Sequence, residues 1–176
     1  MKADINIKLK TVLFVEAGEK MKYKLASQGI IKLSDAVLSV FNEYRQLEKG
    51  DAEAGGTLLG RFILESSDIV IDKVTVPMER DIRKRCYFKR NREDHQKVVY
   101  SIWEESRGTC NYLGEWHTHP EPHPTPSSHD LKEWEKVLEN TVYDAEELFF
   151  LIIGTKSIGV WVGNKASLKI KKLTRC

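Results

Sequence analysis

Apolar and polar positions along the chain change period several times, and each change marks an element. Val37, Val40, Phe41, Tyr44 and Leu47 recur at helical spacing behind Ser34 and Asp35, which suit an N-cap, and the pattern runs up to Gly50. That spacing predicts a first amphipathic helix. Asp51-Ala52-Glu53-Ala54-Gly55-Gly56-Thr57-Leu58-Leu59-Gly60 follows, with two adjacent glycines leading into a short apolar run that suits a buried strand. Glu53 therefore falls at a helix-to-strand junction, and Gly55 and Gly56 read as residues for a tight turn and close backbone approach. Ile69, Ile71, Val74 and Val76 predict a further strand closed by Pro77. A second helix is expected from Asp94 to Ser106, with Val98, Val99, Ile102 and Trp103 as its apolar face and Gly108 as its stop. Tyr112 to His119 reads as a strand entering a loop, because Pro120, Pro122, Pro124 and Pro126 interrupt backbone hydrogen bonding immediately afterwards. Leu131, Trp134, Val137 and Leu138 define a third amphipathic helix starting near Ser127, and strands around Leu148 to Ile153 and Val160 to Val162 close the pattern. Trp103, Trp116 and Trp134 are assigned to the core.

Composition narrows this picture. A chain of 176 residues suits one domain, taken as residues 1–176, and its balance of apolar and charged residues excludes wholesale disorder. A net charge of +2 gives no long-range attraction for nucleic acid or a membrane surface. The densest basic segment holds Arg80, Arg83, Lys84, Arg85, Lys89, Arg90 and Arg92, and is read as a solvated edge strand and loop. Cys86, Cys110 and Cys176 are widely spaced and odd in number, so they read as reduced thiols and point to the cytoplasm. Val12 to Val15 near the N-terminus and Leu148 to Ile153 are too short for a signal peptide core or a membrane span.

The chemistry concentrates around one short segment. His117 and His119 are two residues apart, so on an extended strand both imidazoles project from one face and can converge on a cation. Asp130, carried in by the proline-rich loop, would add one oxygen to two nitrogens and leave the fourth tetrahedral position open to water, the arrangement of a catalytic zinc. Such a site needs a separate carboxylate to take a proton from water and deliver it to the leaving amine. Glu53 is the candidate, and Glu115, on the same strand face as His117, is its rival. Ser127-x-x-Asp130 also satisfies the capping-box pattern of a helix N-terminus. His95, His123 and His129 are expected to be solvated or loop histidines.

His117-Thr118-His119, ten residues, then Asp130 resembles the JAMM (MPN+) metalloprotease motif, and Glu53-x-Gly55-Gly56-x-Leu58-x-Gly60 is similar to the glutamate segment upstream of it. The likeness covers roughly residues 35 to 165. It implies an α+β MPN/JAMM fold, a mixed β-sheet flanked by helices in α/β/α-like layering and related in layout to the zinc deaminases. It also implies that Ser127 helps stabilise the oxyanion. Tyr112 to Glu121 together with Pro126 to Asp130 looks most like bacterial JAB proteins, which accompany ubiquitin-activating-like and conjugating-like enzymes in anti-phage operons of the CBASS type. That resemblance implies a deubiquitinase-like zinc isopeptidase whose substrate is a protein C-terminal peptide or conjugate, namely a cGAS-like nucleotidyltransferase joined by its C-terminus to a target. Two other functions remain open: an MPN scaffold without catalysis, and a metal hydrolase acting on another substrate.

Overall fold

The computed structural model describes residues 21–142 and 145–176, so the Val12 to Val15 run lies outside the described residues. In chain order the elements are β1 (Lys22–Lys24), β2 (Ile30–Leu33), α1 (Asp35–Tyr44), β3 (Gly55–Phe62), β4 (Ile69–Val74), β5 (Ile82–Lys84) and β6 (Tyr87–Lys89). They continue with α2 (Arg92–Glu105), β7 (Asn111–Thr118), α3 (Ser128–Asn140), β8 (Glu147–Ile153), β9 (Ile158–Asn164) and β10 (Ile170–Lys172). Eight strands form one sheet in the order β1-β2-β4-β3-β7-β8-β9-β10, while β5 and β6 make a separate hairpin. The sheet is mixed, because β2 with β4 and β7 with β8 run parallel and the other neighbours run antiparallel. It also curls: beyond β10 the chain returns to β1, where Lys24 N–H donates to Thr174 O at 3.0 Å and Cys176 N–H to Lys22 O at 3.0 Å. The mixed α+β architecture with flanking helices is the one expected.

The core sits on both faces of the central strands. Phe41 and Val37 of α1 pack with Ile31, Leu58, Ile71, Leu113, Trp116 and Phe149, and Trp134 and Leu138 of α3 pack with Phe150, Ile152 and Trp161. Trp116 is the anchor below the strand that carries the histidines. Its ring lies 4.9 Å from that of Phe41 and its indole N–H donates to Thr75 O at 3.0 Å. Truncating a buried ring of this size costs roughly 3–5 kcal/mol.

Three expectations are corrected. The first helix stops at Tyr44 rather than near Gly50, because Arg45 turns out of helical conformation and donates to Gly154 O at 2.9 Å, while Gln46 is drawn inside and Leu47 is left exposed. The second helix begins two residues earlier than expected, capped by Asn91, and its apolar face is only partly used: Val98 and Trp103 are exposed, the latter at 45%. Trp103 is therefore not a core residue, and the buried residue of α2 is His95. The basic segment is no edge of the main sheet but the β5–β6 hairpin and its flanks. The strands β1, β2 and β10, three or four residues each, had no periodic signal long enough to read. Among the described residues, no helix is long and apolar enough to cross a membrane, and the three cysteines are free thiols.

Gly55 and Gly56 lie inside β3 rather than in a turn, and close approach is what they provide. A Cβ on Gly56 would meet Thr75 O at 2.1 Å, and one on Gly55 would meet the Phe88 ring at 2.5 Å. Gly56→Ala must displace backbone, so it should cost about 1–3 kcal/mol. The check is a urea titration, in which the midpoint should fall with little change in slope.

Candidate metal centre

β7 delivers the histidines by simple alternation: Trp116 and Thr118 go into the core, while Glu115 and His117 face the cleft. Backbone pairing continues one residue beyond the strand, since His119 N–H donates to Ile153 O at 3.0 Å. The Nε2 atoms of His117 and His119 are 3.0 Å apart. Asp130 meets both, with Oδ1 3.4 Å from His117 Nε2 and Oδ2 3.5 Å from His119 Nε2. One ligand atom from each of the three residues lies within 4.8 Å of the others, a group able to hold a metal ion.

Asp130 arrives on α3, and the same carboxylate completes that helix's N-terminus. Ser127 Oγ accepts from Asp130 N–H at 3.1 Å, and Asp130 Oδ2 accepts from the N–H and hydroxyl of Ser127, both at 2.6 Å. The capping box and the cluster thus coexist: Oδ1 faces His117, and Oδ2 serves both Ser127 and His119.

Glu53 is brought alongside by a reciprocal pair one residue on. Thr118 N–H donates to Ala54 O at 2.8 Å, and Ala54 N–H donates to Thr118 Oγ1 at 2.9 Å. Since Thr118 lies between the two histidines, this pair sets Glu53 next to them. The Thr118 hydroxyl donates in turn to Gln46 Oε1 at 3.0 Å, and Gln46 Nε2 donates to Asp51 O and Arg85 O. The β5–β6 hairpin holds Glu53 from the other side: Glu53 N–H donates to Lys84 O at 2.8 Å, and Arg83 Nε donates to Glu53 O at 2.8 Å.

Glu53, His117, His119, Ser127 and Asp130 all line one cleft of about 740 Å³ between this hairpin and α3. Glu115 lines it as well, but its carboxylate is ion-paired with Arg90 and accepts from Tyr112 OH at 3.4 Å. That occupancy separates the two rival carboxylates. His129 reaches the cleft from the first turn of α3, its ring 5.9 Å from Tyr87, and His123 is exposed with Nδ1 3.0 Å from Ser157 Oγ. His95 is the exception among the outlying histidines: expected to be solvated, it is fully buried against Asp81 and Thr75.

Residues 39–168 match the family of prokaryotic homologs of the JAB domain. The chain belongs to that family. Two curated JAB relatives are named CD-NTase/cGAS isopeptidase. The Escherichia coli (strain TW11681) protein is 37% identical over 146 residues, covering 83% of this chain and 88% of the relative. The Vibrio cholerae serotype O1 protein is 36% identical over the same coverage of each chain. A solution structure of a Desulfitobacterium hafniense protein has the same fold, with a TM-score of 0.55 at 19% identity over 81% of this chain and 88% of that one.

Charge in this JAB cleft is unevenly distributed. Burial raises the Glu53 carboxyl to about 7, with the Asp130 charge adding to that effect and His119 opposing it. Burial disfavours a charged Asp130, yet the two imidazoles and Ser127 outweigh it and hold the carboxyl far below the usual range. His119 is likewise penalised by burial but raised overall by Asp130, Glu53 and Glu121. Gln46, Thr118 and Arg83 position the site without any mark in the sequence, since a glutamine or arginine in a loop carries no periodicity.

A carboxyl raised from 4.5 to about 7 binds more protons folded than unfolded. Its contribution is complete below pH 4.5 and is lost as pH rises through 7, a change of up to about 3 kcal/mol. Glu53→Gln should remove it. In urea titrations of metal-free protein, the variant should gain on the wild type between pH 5 and pH 8.

Proposed function

We propose that this protein is a zinc-dependent isopeptidase of JAMM type that hydrolyses the amide joining a protein C-terminus to its attachment point. The observation that carries the reading is the convergence of His117, His119 and Asp130 beside the buried Glu53 in one cleft. A tetrahedral zinc with bonds of about 2.0–2.1 Å has ligand-to-ligand edges of roughly 3.3–3.4 Å. The separations of 3.4 and 3.5 Å fit, and the 3.0 Å pair needs only a small opening. A bound zinc would supply Lewis acidity toward water and the scissile carbonyl.

The chain's own residues do the rest. Glu53, buried beside the ligands, takes the proton from the attacking water and delivers it to the leaving amine. The Ser127 hydroxyl turns from Asp130 to donate to the developing oxyanion, while its backbone N–H keeps the helix capped. The cleft wall offers an extended peptide a strand to pair with. β5 pairs with β6 on one side and receives Glu53 N–H on the other, so among the described residues β6 keeps an unpaired edge for strand addition.

The relatives' names support a CD-NTase, here a cGAS-like nucleotidyltransferase, as the conjugated protein. Its attachment by a ubiquitin-activating and conjugating-like partner in anti-phage defence belongs to the same proposal. A polyanionic substrate is disfavoured, because Arg80, Arg83, Arg85 and Arg90 are engaged with Asp94 and Glu93, with backbone carbonyls, and with Glu115. A scaffold without catalysis would have no use for a complete ligand set and a buried carboxylate.

Zinc-loaded protein incubated with a C-terminally conjugated nucleotidyltransferase should release the free C-terminus. Glu53→Gln should keep stoichiometric zinc and lose turnover by about a hundredfold or more. His117→Ala and Asp130→Ala should lose zinc on elemental analysis, and Ser127→Ala should keep it while slowing by about a hundredfold. An intact conjugate with the wild-type enzyme, or equal turnover by Glu53→Gln, would sink the proposal.

A further inference from the structure

The β5–β6 hairpin poses a physical problem. Its strands are three residues each, every β5 side chain is exposed, and two-stranded hairpins are marginal without help. Yet this hairpin provides the carbonyl and the guanidinium that hold the Glu53 backbone. Apolar burial holds it only through the half-buried Tyr87 and Phe88, so polar contacts carry much of its position, through Arg85 at the turn and at the base.

One carboxylate closes that base. Asp81 stands just before β5, and its Oδ1 accepts from Asn91 N–H at 2.6 Å, just after β6. Its Oδ2 accepts from Met78 N–H at 2.8 Å and lies 3.0 Å from His95 Nε2. Both side chains of the Asp81–His95 pair are fully buried. The other ring nitrogen, His95 Nδ1, is 2.6 Å from Thr75 Oγ1. That oxygen accepts from Thr57 N–H at 2.7 Å and lies 3.0 Å from Thr57 Oγ1.

A single arrangement of protons satisfies the chain. Thr57 donates to Thr75, the Thr75 hydroxyl donates to His95 Nδ1, and His95 Nε2–H donates to Asp81. Burial keeps the imidazole neutral, while the backbone donors and His95 hold the Asp81 carboxyl below its usual range despite its burial. The far end of the network is the metal side, because Thr75 O receives the Trp116 indole next to His117. His95 therefore ties the hairpin that holds Glu53 to the strands that hold the histidines.

We propose that Asp81 and His95 form a positioning latch that sets Glu53 relative to the metal ligands, acting through the base of the β5–β6 hairpin. The catalytic consequence rests on the isopeptidase reading above, whereas the mechanical one does not. His95→Ala should speed amide exchange at Glu53 and Asn91 by about tenfold or more, while amides of β8, which open only with the whole fold, keep their protection. His95→Gln, which restores a donor to Asp81, should return exchange to near wild type. In turnover, His95→Ala with full zinc should lose about tenfold or more in kcat with KM changed less than about threefold, and His95→Gln should recover most of it. Asp81→Ala should match His95→Ala.

Unchanged exchange at Glu53 in folded His95→Ala, or a uniform rise that includes β8, would overturn the latch. So would full kcat in that variant. If the wild type cleaves no conjugate, the isopeptidase reading fails and the exchange experiment still decides the latch.

Discussion

The site depends on the reciprocal hydrogen bonding of Ala54 with Thr118. Both partners are buried, and each has a chemically important neighbour: Glu53 on one side, His117 and His119 on the other. A pair of backbone-directed bonds in a water-free environment is short, directional and costly to break. Joining β3 and β7 at this point fixes a carboxylate against two imidazoles without using any of the reactive atoms. Gly55 and Gly56 make the join possible, because any side chain there would push the hairpin or Thr75 away.

Burial then sets the electrostatics. Glu53 is raised toward neutrality because its surroundings favour the uncharged form, while Asp130, partly buried, stays ionised because two imidazoles and Ser127 compensate it. Asp130 also sits in the first turn of α3, where the helix N-terminus favours negative charge. Two carboxylates in one cleft are thereby driven in opposite directions, which is the separation acid–base chemistry uses. Of the arginines around them, Arg90 neutralises Glu115 while Arg83 and Arg85 bond backbone carbonyls, so these members of the basic segment work as internal bracing.

Much of the site was legible because its signals are local. His117 and His119 share a strand face by period two, Ser127 and Asp130 share a helix start by spacing, and the glycines after Glu53 announce close packing. The core face of α3 was equally readable from Trp134 and Leu138. His95 and Trp103 went the other way: each sits on α2 with the same helical spacing, yet the polar ring is buried and the apolar one exposed. Periodicity ranks residues by hydrophobicity, and it has no means of knowing that Asp81 and Thr75 wait beneath α2.

By itself, the sequence determined which residues could bind a metal, where the three helices and the longer strands lie, and that a carboxylate stands at the head of β3. Tertiary structure alone decided that Glu115 is occupied, since Arg90 comes from another segment to neutralise it. It also decided that a basic stretch braces the site and that a histidine expected in solvent is buried. The physical reason is common to all three. These outcomes depend on pairings between residues ten to forty positions apart, and such partners leave no periodic trace along the chain.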